Sequence, residues 1–157
     1  MQRLNEKDVF ESSIVATFKK LQEKGVVKTS IDPEKQFAYG KSFIADATKN
    51  DDYGIWFIAH SNLTSDKWND AWKYEITFED GVCKEIDETF DSSKKKSESE
   101  LERATKENNF TPTRLIFAKD DKTGKYVFLG LFTVGKSTRS YSYTKWLWKK
   151  VNASYLY

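Results

Sequence analysis

Lys125–Val134 reads KYVFLGLFTV, the most apolar run in a chain of 157 residues of which 32% are charged. Alternation along a strand puts Tyr126, Phe128, Gly130 and Phe132 on one face and Val127, Leu129, Leu131 and Thr133 on the other. Both faces are largely apolar, so this strand belongs inside a sheet. Gly130 takes a side chain away from the aromatic face. A glycine in that place marks a bend or a close packing contact first, and the wall of a pocket second. One strand therefore sets the expectation of a bent sheet.

Outward from that run, TRLIFAK (113–119) comes before it across an Asp120–Gly124 turn, and the two read as neighbouring strands. After it, RSYSYTKWLWKKV alternates Ser140, Ser142, Thr144, Trp146 and Trp148 with Tyr141, Tyr143, Lys145 and Leu147, a further strand. Upstream, YGIWFIAH (53–60) is a strand, and WKYEITFEDGVCKEID (72–87) is a hairpin around Asp80-Gly81, a strong two-residue turn signal. FAYGKSFIAD (37–46) reads as a short strand or turn, and TKNDD after it as a loop. Residues 88–110 are polar, with Ser97 and Glu100 in a capping-box pattern, so a loop and a short exposed helix near 98–107 are expected. At the N-terminus Val9, Phe10, Ile14, Val15, Phe18 and Leu21 recur at helical spacing, with Asn5 as cap and Gly25 as stop. The expected architecture is α+β. It consists of a strongly curved mixed or antiparallel sheet, or a small pseudo-barrel, covered by an N-terminal amphipathic helix, in a single domain over residues 1–157.

Composition excludes several chemistries. One histidine, His60, and one cysteine, Cys83, cannot build a thiolate zinc cluster, an internal disulfide or the usual triads. No glycine spacing matches a phosphate loop, and no carboxylate lies in a setting that would raise its pKa for acid–base work. No catalytic residue, metal or cofactor is therefore assigned. The chain lacks an apolar run long enough for a membrane span, and MQRLNEKDVF lacks the core of a signal peptide, so a cytoplasmic location is expected. Charge is uneven along the chain. Residues 1–110 carry 17 Lys and Arg against 22 Asp and Glu, a balance of −5, whereas residues 111–157 carry 9 against 2, a balance of +7. A basic third on an acidic body can steer an anionic partner to one face.

The stretch TPTRLIFAKDDKTGKYVFLGLFTV, followed by YTKWLWKKVNASY, resembles the PUA-like (SRA-like or EVE-like) base-reading domains fused to HNH nucleases in bacterial restriction-type proteins. The resemblance runs from Arg114 through Phe132, with Tyr126, Phe128, Gly130 and Phe132 in register, and DYGIWFIAHSN is similar to the earlier strand and following loop of such domains. It implies a pseudo-barrel with a pocket that receives a flipped or modified base between aromatic side chains. No HNH nuclease follows Tyr157, so cleavage is not implied. The acidic body of the chain is also a departure from a DNA-binding module.

Five tryptophans are many for one small core. Indole is large and amphipathic, and a base stacked on a ring gains about 1–3 kcal/mol. Trp56 and Trp146 lie in strands, where core packing competes with a binding role, whereas Trp68 and Trp72 lie in or beside the polar loop HSNLTSDKWNDAW and have less structural reason to be there. His60 and Asn62 end a strand, where side chains face a pocket mouth and can read a base edge. Arg114, Lys119 and Arg139 are basic residues interleaved with rings, and Arg139 beside Tyr141 and Tyr143 is the strongest of them. Charge for phosphate and faces for bases is the combination that unpaired nucleic acid needs.

These features order three functions. The first is a nucleic-acid-binding module, with DNA as the favoured partner, that recognises a modified or flipped base without cleavage. The second is a small phage or mobile-element protein that inhibits a host defence enzyme. The third is a binder of nucleoside-like small molecules.

Overall fold

A computed structural model of the chain describes residues 2–59, 113–120, 122–133 and 150–157 with their side chains, and 72–79, 82–89, 134–139 and 143–149 as backbone. The elements are β1 (Arg3–Asn5), α1 (Ile14–Lys24), α2 (Pro33–Gln36), a 3-10 turn (Ala38–Gly40), β2 (Phe43–Ile44), β3 (Gly54–Ile58), β4 (Trp72–Glu79), β5 (Val82–Thr89), β6 (Thr113–Lys119), β7 (Tyr126–Arg139), β8 (Tyr143–Asn152) and β9 (Ser154–Leu156). The class is α+β. The expected helix near 98–107 lies outside the described residues. The chain divides into two compact units, one of Met1–Ser61, Thr113–Phe132 and Val151–Tyr157, the other of Asn62–Pro112 and Thr133–Lys150.

In the first unit the strand order is β2-β3-β6-β7. β3 and β6 run parallel, with Gly54 opposite Arg114 and Ile58 opposite Ala118. Parallel neighbours need a long crossover, and the excursion from β3 to β6 supplies it. β2 pairs antiparallel with β3, Phe43 opposite Trp56 and Ile44 opposite Ile55. Alternation then sends Ile55, Phe57, Leu115 and Phe117 to one face, where they meet Phe18 and Leu21 of α1 together with Phe37, Tyr126 and Phe128 in the main core. Rings hold this core together, because aromatic pairs gain from stacked and edge-on contact beyond their burial. Phe57 stacks on Phe117 at 5.3 Å between centroids. Phe10 meets Phe117 edge-on at 5.4 Å, and Phe37 meets Phe57 edge-on at 5.5 Å. Trp56, Ile58, Ile116, Ala118 and Phe132 are buried as well but stand outside that core, forming a second apolar layer on the opposite face of the sheet.

The N-terminal helix covers the sheet as expected but starts later than its hydrophobic stripe suggests. Its cap is Ser13, whose hydroxyl accepts from the Ala16 amide at 3.1 Å, and not Asn5, which lies in β1. Lys7 turns with a φ of 74°, and residues 7–11 then bond to the edge of β7 through Lys7 N–H to Phe128 O, Phe128 N–H to Asp8 O, Phe10 N–H to Tyr126 O and Tyr126 N–H to Glu11 O. Ladder hydrogen bonds take the residues that the stripe offered to a helix. Phe10 still reaches the core, from an extended segment. The stop is as expected: Gly25 adopts φ 85° and its amide closes on the last turn.

Along β7 burial alternates as expected from Tyr126 to Thr133, with Tyr126 and Phe128 at 3% and 0% exposure. Leu131, not Phe132, packs against the core that holds Tyr126 and Phe128, while Phe132 is buried outside it. Gly130 lies between them with φ 131°. Side chains rarely adopt that conformation. The unusual backbone at Gly130 fits the bend or close packing expected there, and Phe132 is buried without joining the core that holds Phe128. The ends of the chain are tied by β1 and β9, antiparallel with Leu4 opposite Tyr155, and the Tyr155 hydroxyl donates to Asp51 Oδ2 at 2.6 Å.

In the second unit the order is β7-β8-β5-β4. β4 and β5 form the antiparallel hairpin expected from the sequence, with Glu79 opposite Val82. β8 lies antiparallel on the other edge of β5, with Trp146 opposite Glu85. Among the described residues neither order closes on itself, so the sheets are open and no closed barrel is formed.

Candidate functional site

The residues that expose chemistry in the first unit follow from its two parallel strands. Arg114 opens β6 beside Gly54 of β3, on the face opposite the main core. Phe43 and Trp56 are direct cross-strand partners on that same face. The Arg114 guanidinium carbon lies 3.7 Å from the Phe43 ring centroid and 5.5 Å from that of Trp56. A planar cation laid on ring faces is attracted by their quadrupole, more strongly once water is excluded. Water is largely excluded, since Arg114 and Trp56 are each 7% exposed. Gly54 makes the arrangement possible. A Cβ there would stand 2.9 Å from Phe43 Cε2 and 3.1 Å from the Ile44 carbonyl oxygen. Arg114 is thus a packed, buried cation on an aromatic floor.

Lys119 is placed elsewhere. It closes β6, five residues along the strand from Arg114. That separation is about 16 Å at the rise of an extended chain. Lys119 also alternates onto the other face. Arg114 and Lys119 therefore cannot serve one base together. Lys119 leads into the β6–β7 turn, which Asp120 fixes by accepting from the Lys122 amide at 3.0 Å while its backbone carbonyl accepts from Gly124 at 2.7 Å.

The amino end of β3 is acidic. Asp46 and Asp52, both with positive φ, hold the Lys28 ammonium at 2.6 and 3.1 Å. The hydrogen bond from Lys28 keeps the Asp46 carboxyl below its ordinary range, while Asp46 and then Asp52 push Lys28 upward. This cluster pins the loop between β2 and β3 to the segment that follows α1, and it neutralises Lys28.

Of the other candidates from sequence, Trp72 lies at the start of β4, Arg139 at the end of β7, and Tyr143 and Trp146 in β8, all in the second unit and described as backbone. His60, Asn62, Trp68 and Tyr141 lie outside the described residues. Sequence reasoning does not single out Phe43, because 37–46 carries no strand of definite length. The signal for it is Gly54, which opens an otherwise fully buried strand and leaves room for a neighbouring ring.

No family model and no curated protein matches the chain. Among solved structures it is similar to the 5-hydroxymethylcytosine-specific restriction enzyme AbaSI, with a TM-score of 0.53 and 19% identity. The likeness covers 98% of this chain and 42% of that enzyme's chain. It is a likeness of fold, and it relates the chain to less than half of a restriction enzyme.

Proposed function

We propose that the chain is a nucleic-acid-binding module of the PUA-like kind that recognises a modified or extruded base, with DNA as its partner, and that it does not itself cut. The observation that carries this reading is the likeness of nearly the whole chain to part of an enzyme named for 5-hydroxymethylcytosine. The basic balance of residues 111–157 supports it, because phosphate contact rests on clustered Lys and Arg.

In this reading an extruded base stacks on a ring, and a polar or charged edge reads its hydrogen-bonding atoms. Trp56 and Arg114, with Phe43 beneath the guanidinium, are the described members of the proposed site. In the second unit Trp72, Arg139, Tyr143 and Trp146 are proposed as binding residues in their own right; His60, Asn62, Trp68 and Tyr141 are proposed from the sequence and lie outside the described residues, and Lys119 is proposed to contact backbone phosphate. A hydroxymethyl group on cytosine adds a hydroxyl that needs a polar partner, so discrimination against plain cytosine follows from leaving that partner unpaired. No specific observation favours a host defence enzyme or a free nucleoside as the ligand.

The test is a competition panel in which labelled duplex bearing 5-hydroxymethylcytosine is displaced by duplexes bearing cytosine, 5-methylcytosine or the hydroxymethyl base. The reading expects one modified duplex to compete best, with all DNA recovered at full length. Equal competition by every duplex would remove base recognition, and strand scission would remove the binding-only assignment.

A further inference from the structure

Tyr39 is fully exposed and has φ 59° and ψ 35°. This is a left-handed backbone, uncommon for a bulky residue. It is held out by its neighbours on both sides. Phe37 is buried, edge-on to Phe18 and Phe57, and the Ser42 carbonyl accepts from the Phe57 amide at 2.8 Å before Phe43 passes beneath Arg114. A strained turn clamped at both ends thus displays a ring that contributes nothing to the core.

Its place in the fold adds a second observation. β2 runs antiparallel to β3, so the segment before Ser42 lies beside the carboxyl end of β3. The β6–β7 turn follows Lys119 at the carboxyl end of β6, which is parallel to β3. Tyr39 and Lys41 therefore share one end of the sheet with Lys119, Lys122 and Lys125. In the strand order β2-β3-β6-β7 only β3 stands between β2 and β6, so the β6–β7 turn lies within a few strand spacings of the segment that carries Tyr39. Lys41, Lys122 and Lys125 are exposed. Among the described residues neither these three lysines nor Lys119 has a carboxylate at ion-pair distance, and the Asp120 carboxylate is occupied by its own turn. At the opposite end Lys28 is neutralised by two aspartates. Among the described residues, one end of the sheet thus carries lysines without a carboxylate at ion-pair distance and an exposed ring.

We infer that this end binds an unpaired nucleic-acid strand, Tyr39 stacking on one base while Lys122 and Lys125 meet the backbone phosphates. An unpaired strand is the partner because its base faces are open, whereas a duplex covers them. The inference rests on the nucleic-acid reading above and adds to it a second contact, at the end of the sheet away from Arg114.

The test is fluorescence anisotropy of the full chain with a labelled single-stranded oligothymidylate and with its duplex, over a salt series. The single strand is expected to bind, Tyr39→Ala to weaken it about five- to hundredfold, and Tyr39→Trp to retain it. Lys122→Glu with Lys125→Glu is expected to flatten the slope of log affinity against log salt by about 1.4, two phosphates at about 0.7 each. All these side chains are exposed, and circular dichroism checks that each variant folds. Binding by the native chain that neither Tyr39→Ala nor the lysine pair alters would overturn this inference and leave the nucleic-acid reading standing. Absence of binding to both probes, at low salt as well, would overturn both.

Discussion

The guanidinium of Arg114 lies over the ring of Phe43 at 3.7 Å, and each makes the other's position possible: the ring covers the cation, and the cation holds a two-residue edge strand on the sheet. Arg114→Ala is expected to destabilise the chain by about 2–3 kcal/mol, and Phe43→Leu by about 1–2 kcal/mol, in urea unfolding. The double variant should cost less than the sum of the two, with a coupling of about 1 kcal/mol. Strict additivity would mean that the two side chains do not interact across the strand pair.

Gly130 is buried in β7 with φ 131°. Alanine there has to adopt a backbone that side chains avoid or shift the strand on either side of it. Gly130→Ala should lower stability by about 2 kcal/mol or more. Thermal unfolding reads this directly, and an unchanged midpoint would place the bend elsewhere.

Tyr155 fastens the C-terminal strand, since its hydroxyl donates to Asp51 at 2.6 Å. Burial, and next the Asp51 hydrogen bond, push this phenol above its ordinary value of 10.0. The folded state therefore favours the neutral phenol. Its contribution is complete below the unfolded value of about 10 and is lost as pH rises above it. Stability should fall on the alkaline side of about pH 10, and Tyr155→Phe should cost about 1.5–3 kcal/mol at neutral pH while making the alkaline fall shallower. The fall should persist in part, because burial also raises Tyr126. An identical alkaline profile in Tyr155→Phe would remove Tyr155 as its source.

Tyr39 and Gly40 adopt positive φ in succession, which suits glycine at both places. Tyr39→Gly should raise stability by about 1 kcal/mol, because a side chain in the left-handed region costs about 1–2 kcal/mol. The same substitution should weaken binding of the single strand. Gain of stability with loss of binding is the signature of a residue kept for contact rather than for folding. Loss of both would assign Tyr39 a structural role, and loss of neither would remove it from the contact.

Much of the frame could be read from local signals. The alternating runs on either side of Asp80-Gly81 signal the β4–β5 hairpin, Gly25 the end of α1, and the run from Tyr126 its buried strand. What could not be read depended on distant partners. Residues 7–11 carry helical spacing but bond to β7, and nothing in their own composition reports that edge. β9 and β1 are three residues each and exist only because the chain termini meet. For the candidate site, Arg114 and Trp56 were recognisable as a basic residue and a ring in strands. Their meeting required the parallel register of β3 and β6, across an excursion of more than fifty residues, about which periodicity is silent. Arg114 and Lys119, which sequence reading grouped together, are separated by the rise and alternation of the one strand that carries both.

The central claim, recognition of a base within nucleic acid, is tested most directly by titrating the chain against two labelled duplexes identical except for one modified cytosine, by anisotropy over a salt series. Binding to both should weaken as salt rises, the phosphate contribution being common to them. The modified duplex should keep a constant advantage of about tenfold, the worth of one paired polar group, and that advantage should disappear in Arg114→Ala or Trp56→Ala. Binding that falls with salt but is equal for the two duplexes, in the native chain and in both variants, would contradict base recognition.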